Sequence, residues 1–262
     1  MSNICFVHLA GGLGNQLFQV AAGYAHSKRH NLELKIHPKT AGGRGTYWDS
    51  WLHTFADKTG KQSQQAIYRE PSFSYIPIPS SARVLAGYFQ SSKYFTEVAD
   101  DLRTLFHPGS AIETEIQRTY ADLLTAKGEY AVIHIRRGDY VAIPGGFHDI
   151  LDEHYYERAV RQVLAVKPGL KFLIFSDDLP WCRSLSFFPE GSLFIDEPND
   201  VRALYLMSQF QYYVLSNSSF SWWAAWLGTP AIYVLAPKKW FGPKGPQDFQ
   251  DIYEPSWDRL SV

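Results

Sequence analysis

From residue 130 onward the chain keeps one rhythm, and that rhythm restricts its fold more than any single motif. Five short apolar runs, YAVIHI, KFLIFS, SLFID, QYYVLS and AIYVLA, alternate with stretches of helical pattern, DEHYYERAVRQVLAV, LPWCRSL, DVRALYLMSQ and SFSWWAAWL. Near-continuous apolar runs of this length predict strands buried on both faces, and their alternation with helices predicts parallel pairing through crossovers. A doubly wound α/β half-molecule follows. The N-terminal part opens the same way, with ICFVHLA as a strand, GGLGN as a tight turn, QLFQVAAGYAHSKRH as a helix and LELKIH as a second strand. Residues 38–79 read as irregular, rich in Gly, Pro, Ser and aromatics. Helices follow at EVADDLRTLF and AIETEIQRTYADLLTAKG, the second ending on Gly128 as its C-cap. The expected domains are therefore 1–128 and 129–262.

Charge and apolar patterning exclude several classes. With 25 Lys+Arg against 26 Asp+Glu, the chain lacks the basic excess that nucleic acid or an anionic membrane surface demands. The longest apolar run, residues 220–236, is broken by Gly228 and Pro230, as a turn would be and a membrane span would not. The N-terminus MSNICFVHLAGG has neither the basic nor the apolar segment of a signal peptide. Cys5 and Cys182 stand far apart in apolar surroundings and read as reduced, buried thiols, which suits a cytoplasmic protein.

In open parallel sheets, ligands bind beyond the C-terminal ends of the strands, and polar clusters fall there. HIRRGDY follows the first strand of the second half, SDD (176–178) the second, and SNSSFS (216–221) the fourth. Arg136 and Arg137 can neutralise a diphosphate through bidentate contacts, or simply form surface ion pairs, for instance with Asp139. Ser218 and Ser219, at a strand-to-helix turn, bring hydroxyls, backbone N–H groups and the positive helix end together, as an anion site or a plain N-cap. His134 lies within the apolar strand and reads as a core histidine. Asp177 and Asp178 have three readings: a helix N-cap, a carboxylate accepting two N–H bonds from a guanine edge, or metal ligands. The metal reading ranks last, because no other cluster of Asp, Glu, His or Cys has ligand spacing. In AGGLGNQLFQ, Gly12 and Gly14 fit a dinucleotide fingerprint, but Leu17 takes the third glycine position and no Walker lysine follows. Asn15 and Gln16 offer amides there, which suit sugar hydroxyls better than NAD.

Four segments in this order, GGLGNQLFQ, LAGYFQSSKYF, HIRRGDY and SNSSFSWWAAWLG, closely resemble the α-1,2-fucosyltransferases of glycosyltransferase family 11. The resemblance implies a GT-B-like α/β fold of two Rossmann-type halves with a donor crevice between them, an acceptor-side domain at 1–128 and a GDP-fucose-binding domain at 129–262. It implies inverting transfer of L-fucose from GDP-β-L-fucose to the 2-hydroxyl of a terminal β-galactose, with no cofactor and no required metal. Carried over residue by residue, Arg136 would hold the β-phosphate, with Arg137 beside it. His134 and Asp177 would contact guanosine, and Asn217, Ser218, Ser219 and Phe220 would line the phosphate site. Gly12 and Gly14 would let the donor approach the first turn, and Asn15 matches an active-site amide of the more distant protein O-fucosyltransferases. Asp139 is the first candidate for the base that takes the acceptor proton, or else it orients Arg136. Residues 38–79 are expected to shape the acceptor pocket. The absence of a membrane anchor like that of eukaryotic members points to a soluble, bacterial-type cytoplasmic enzyme. Two other classes fit less well: an NAD-dependent epimerase or dehydratase, and a non-catalytic glycan- or nucleotide-binding module.

Overall fold

A computed structural model describes residues 3–61, 65–142, 146–228 and 230–262. The chain forms two compact units, one of residues 1–109 and 248–254, the other of residues 110–247 and 255–262.

The first unit begins with β1 (Ile4–Ala10) and α1 (Leu13–Arg29). The helix is buried around most of its circumference, so it packs as a core helix rather than a surface one. Its close approach to β1 depends on Gly23, where a Cβ would collide with Cγ2 of Val7. The small residue that brings helix and strand together is thus at position 23, not at position 17 of the dinucleotide pattern. β2 (Glu33–Ala41), β3 (Ile67–Arg69) and β4 (Val84–Ala86) complete a parallel sheet of order β2-β1-β4-β3. β2 is an edge strand, which is why it tolerates Pro38, and its register against β1 slips between Val7 and Leu9. α2 (Ala99–Leu105) follows. The region 38–79 therefore holds a strand and a 3-10 turn at His53–Lys58, not irregular chain alone; its residues 62–64 lie outside those described.

Segment 248–254 is tied into this unit from far along the chain. The Ser74 hydroxyl donates to the Asp248 carbonyl (2.6 Å), the Tyr75 N–H donates to Asp251 (2.8 Å), and Lys93 pairs with Asp251.

The second unit starts with α3 (Ser110–Thr119) and α4 (Ala121–Thr125). The single helix expected over 111–128 is thus broken at Tyr120, and Gly128 lies in a 3-10 turn (Lys127–Glu129) without the positive φ of a C-cap. Tertiary ties override the helical pattern: the Tyr120 hydroxyl donates to Glu197 (3.2 Å), and Arg202 bridges Glu115 and Glu197.

Then come β5 (Tyr130–Ile135), α5 (Gly138–Ala142), α6 (Glu153–Val166), β6 (Lys171–Ser176), α7 (Leu179–Arg183), β7 (Leu193–Phe194), α8 (Asp200–Met207), β8 (Tyr212–Val214), α9 (Ser219–Leu227), β9 (Tyr233–Pro237) and β10 (Asp258–Leu260). The sheet order is β10-β9-β8-β5-β6-β7, all parallel, which is the doubly wound arrangement with its switch point between β5 and β8. β5 is buried at every residue, as its unbroken apolar run requires. α9 buries Trp222, Trp223 and Trp226, and Trp257 packs on Trp222 with ring centroids 5.5 Å apart. Cys5 and Cys182 are free and buried.

Candidate functional site

In the second unit the switch point brings together the ends of β5 and β8, and with them HIRRGDY and SNSSFS. Arg136 is held between two carboxylates: Nη2 lies 2.7 Å from Oδ1 of Asp139 and Nη1 lies 2.8 Å from Oδ2 of Asp177. The other oxygen of Asp177 accepts the backbone N–H of Arg137 (2.9 Å). Asp177 can come this close because residue 138 is glycine, where a Cβ would stand 2.6 Å from Oδ2. The glycine in HIRRGDY thus makes room for the acid at the end of the next strand. Arg137 pairs through Nε with Asp178 (3.2 Å) and lies 3.8 Å above the Trp181 ring, a desolvated cation–π contact. Asp178 also caps α7, its Oδ1 accepting from Trp181 N–H (3.1 Å), so the N-cap reading of that acid holds.

His134 is 7% exposed, and its Nδ1 shares a hydrogen bond with the Ser216 hydroxyl (2.7 Å). Burial, reinforced by the Arg136 charge and opposed by Asp177, lowers its pKa to about 3, so the imidazole is neutral at physiological pH. The Phe220 ring lies 5.5 Å from it. Ser218 caps α9, accepting from the Phe220 N–H (3.3 Å), and Ser219 is the first residue of the helix. Asn217 is 1% exposed, and its NH2 group donates to the carbonyls of Asp149 (2.9 Å) and Trp240 (2.8 Å). Its side chain braces two loops beneath the turn.

In the first unit the corresponding switch point lies between β1 and β4. Gly11 adopts φ +79° and Gly12 is the N-cap of α1 without a side-chain cap bond; Gly14 is buried in the first turn. A Cβ on Gly11 would collide with the Asn15 amide nitrogen, so the turn closes directly onto that side chain. The Asn15 amide oxygen accepts from the Gln90 side chain (2.8 Å). Gln16 donates to the carbonyls of Gly11 (3.0 Å) and Gly45 (2.9 Å), and Gln19 binds the Ala10 N–H (2.9 Å) and the Gly87 carbonyl (3.0 Å). These amides are structural ties as well as candidate contacts.

Several residues at these sites escape sequence reasoning. The Tyr140 ring lies 5.6 Å from the Arg136 guanidinium, stacks on His148 at 4.1 Å, and its hydroxyl donates to the Asn217 carbonyl (3.1 Å). Trp181 and Gln90 are further examples. Gln90 stands within LAGYFQSSKYF, yet its partner is 75 positions away. Among the described residues, no group of three or more His, Cys, Asp or Glu could hold a metal ion. Among them, too, no helix is long and apolar enough to cross a membrane.

The family described as Glycosyl transferase family 11 matches the chain over residues 31–261. An Alpha-1,2-colitosyltransferase of Escherichia coli is 29% identical, over 98% of this chain and 99% of that one. A Galactoside 2-alpha-L-fucosyltransferase of Bos taurus is 25% identical, over 88% of this chain and 66% of that one. Among solved structures, the α-1,6-fucosyltransferase NodZ, soaked with GDP-fucose, superimposes with a TM-score of 0.58 at 11% identity, over 87% of this chain and 93% of that one. The shared architecture is GT-B-like, with Rossmann-like parallel sheets in both units.

Proposed function

The chain belongs to glycosyltransferase family 11, and on that premise we propose that it transfers L-fucose from GDP-β-L-fucose to the 2-hydroxyl of a terminal β-galactose, forming an α-1,2-fucoside. The observation that carries the reading is the Arg136 guanidinium, aimed by Asp139 and Asp177 at the switch point where the capped start of α9 also lies. The GDP-fucose-soaked structure of NodZ supports the donor class, and the bovine galactoside transferase supports the acceptor and linkage.

As the bond from the anomeric carbon to the β-phosphate oxygen breaks, its electron pair passes to the diphosphate and positive charge develops on the sugar. Arg136 and the N–H groups opening α9 stabilise the departing GDP, with Arg137 adding charge. The acceptor oxygen forms the new bond from the opposite face and gives its proton to a base. The ion pair between Asp139 and Arg136 supports an orienting role for that acid. In the first unit, Asn15, whose amide oxygen accepts from Gln90, is the amide we propose to face the reacting sugars.

A colitosyl donor is the second reading, favoured by the Escherichia coli relative. Colitose is fucose without its 3-hydroxyl, and a site built to bind that hydroxyl rejects the deoxy sugar by roughly 10⁴–10⁵-fold. Transfer assays with GDP-fucose and GDP-colitose over lactose, N-acetyllactosamine and lacto-N-biose test both readings, with the product linkage read by NMR. Preference for GDP-fucose and a 2-linked galactoside is expected; a preference for GDP-colitose, or a different linkage, overturns the donor or the regiochemistry. Because Arg136 and α9 stabilise the leaving group, EDTA should leave the rate unchanged. A loss restored by Mg²⁺ or Mn²⁺ would make Asp177 and Asp178 metal ligands.

A further inference from the structure

The residue directly after β3 is Glu70, a half-buried carboxylate that accepts from backbone amides. Oε2 accepts from the N–H groups of Tyr88 (2.6 Å) and Phe89 (2.9 Å), and Oε1 also accepts from Phe89 (3.0 Å). Burial raises the Glu70 pKa; hydrogen bonds from Phe89, Tyr88 and Tyr94 oppose that shift. The loop it holds is unusual. Phe89 sits at φ +51°, a left-handed conformation that a bulky L-residue adopts only when its surroundings impose it. Its ring is fully buried, 5.3 Å from Tyr94. At Gly87 a Cβ would collide with Cβ of Glu70, so only glycine lets the acid reach under the loop.

The loop leads directly to the first-unit site. The Gly87 carbonyl accepts from Gln19, and one residue past Phe89 the buried Gln90 donates to the amide oxygen of Asn15 (2.8 Å). With its oxygen so engaged, the Asn15 amide is turned with its nitrogen over Gly11. We propose that Glu70 is a positioning residue for transfer: by clamping the left-handed loop at Phe89 it sets Gln90, and through Gln90 it orients the Asn15 amide. The inference rests on the reading of Asn15 as an active-site amide. It adds an acid that touches no substrate and lies at the end of a strand with no recognisable sequence signal.

The test is a double-mutant cycle on the full-length protein, with turnover at saturating acceptor beside calorimetry of GDP binding. Glu70→Gln and Gln90→Ala should each lower turnover by roughly tenfold to 10²-fold, the size expected when a reacting group is slightly misplaced, and leave the GDP Kd unchanged. In an Asn15→Ala background neither should lower it further, because the relay then has nothing to orient. If Asn15→Ala is impaired but Glu70→Gln multiplies with it in full, or has no effect by itself, the positioning role is overturned and the reading of Asn15 stands. If Asn15→Ala keeps wild-type turnover, both fall together. Should Glu70→Gln melt below the assay temperature, Glu70→Asp, one methylene shorter, enters the same cycle with the same outcomes.

Discussion

The role proposed for Arg136, stabilising charge on a departing diphosphate, requires both edges of its guanidinium to be aimed, and Asp139 and Asp177 hold those edges. Arg136→Lys keeps the charge but loses the planar fork whose two edges engage Asp139 and Asp177. Turnover should fall by roughly 10²–10³, about 2.7–4 kcal/mol, the loss typical of one oxyanion-hole donor; a steady-state assay on a protein of unchanged melting temperature checks it. Asp139→Asn separates orientation from proton transfer. An orienting acid predicts weaker GDP binding together with slower turnover, whereas a general base predicts a loss of about 10²–10⁴ in turnover with GDP affinity intact; calorimetry beside the assay decides. Arg136, Asp139 and Ser218 stand out in the sequence because charged and hydroxyl residues follow directly on an apolar strand, although the fold also uses them as an ion pair and an N-cap. Tyr140, Trp181 and Glu70 do not, because aromatics and lone acids are common everywhere and only the folded chain puts them against Arg136, Arg137 and the Phe89 loop.

The turn from β5 into α5 shows how one position serves an element. Gly138 leaves the space in which Asp177 reaches the Arg137 N–H and the Arg136 guanidinium. Gly138→Ala should push that carboxylate away, costing about 1.5–3 kcal/mol for a lost hydrogen bond to a charged acceptor. Donor affinity and turnover should weaken together while the far-UV spectrum stays the same; unchanged GDP binding would remove Asp177 from the arrangement. Elements with long apolar runs, such as β5, β6 and α9, can be delimited from sequence nearly residue by residue. β3, β4 and β10 cannot: each is three residues long, and β10 carries the charged side chains of Asp258 and Arg259 and is defined only by its backbone pairing to β9. The break at Tyr120 is equally hidden, since the ties from Tyr120 and Glu115 lead to α8 and its flank.

At the scale of the whole molecule, acid stability depends on buried neutral histidines. His134 and His26 have pKa values lowered by burial to about 3 and about 4 in the folded chain. An unfolded histidine takes up its proton near pH 6.5, so below that pH the unfolded state binds more protons and stability falls as pH falls. Each such group should cost about 2 kcal/mol at pH 5 relative to neutrality. His134→Asn, which keeps a polar group for Ser216, should flatten the decline of melting temperature between pH 7 and pH 5; an unchanged slope would mean that His134 takes up its proton at the same pH in the folded and the unfolded chain. The strand–helix alternation discloses the α/β class at this scale. The return of 248–254 to the first unit stays hidden, because its ties join residues such as Tyr75 and Asp251, 176 positions apart.

The tryptophans have a consequence for anyone watching this chain unfold. Of the 8 in the chain, Trp48 and Trp51 belong to the first unit, and the others, including the cluster on α9, belong to the second. Intrinsic emission therefore reports chiefly on the second unit, and melting confined to the first would change only the share contributed by Trp48 and Trp51. Coincidence of emission with far-UV circular dichroism is then the criterion for one cooperative transition, and an earlier circular-dichroism midpoint would mark independent loss of the unit that carries Asn15.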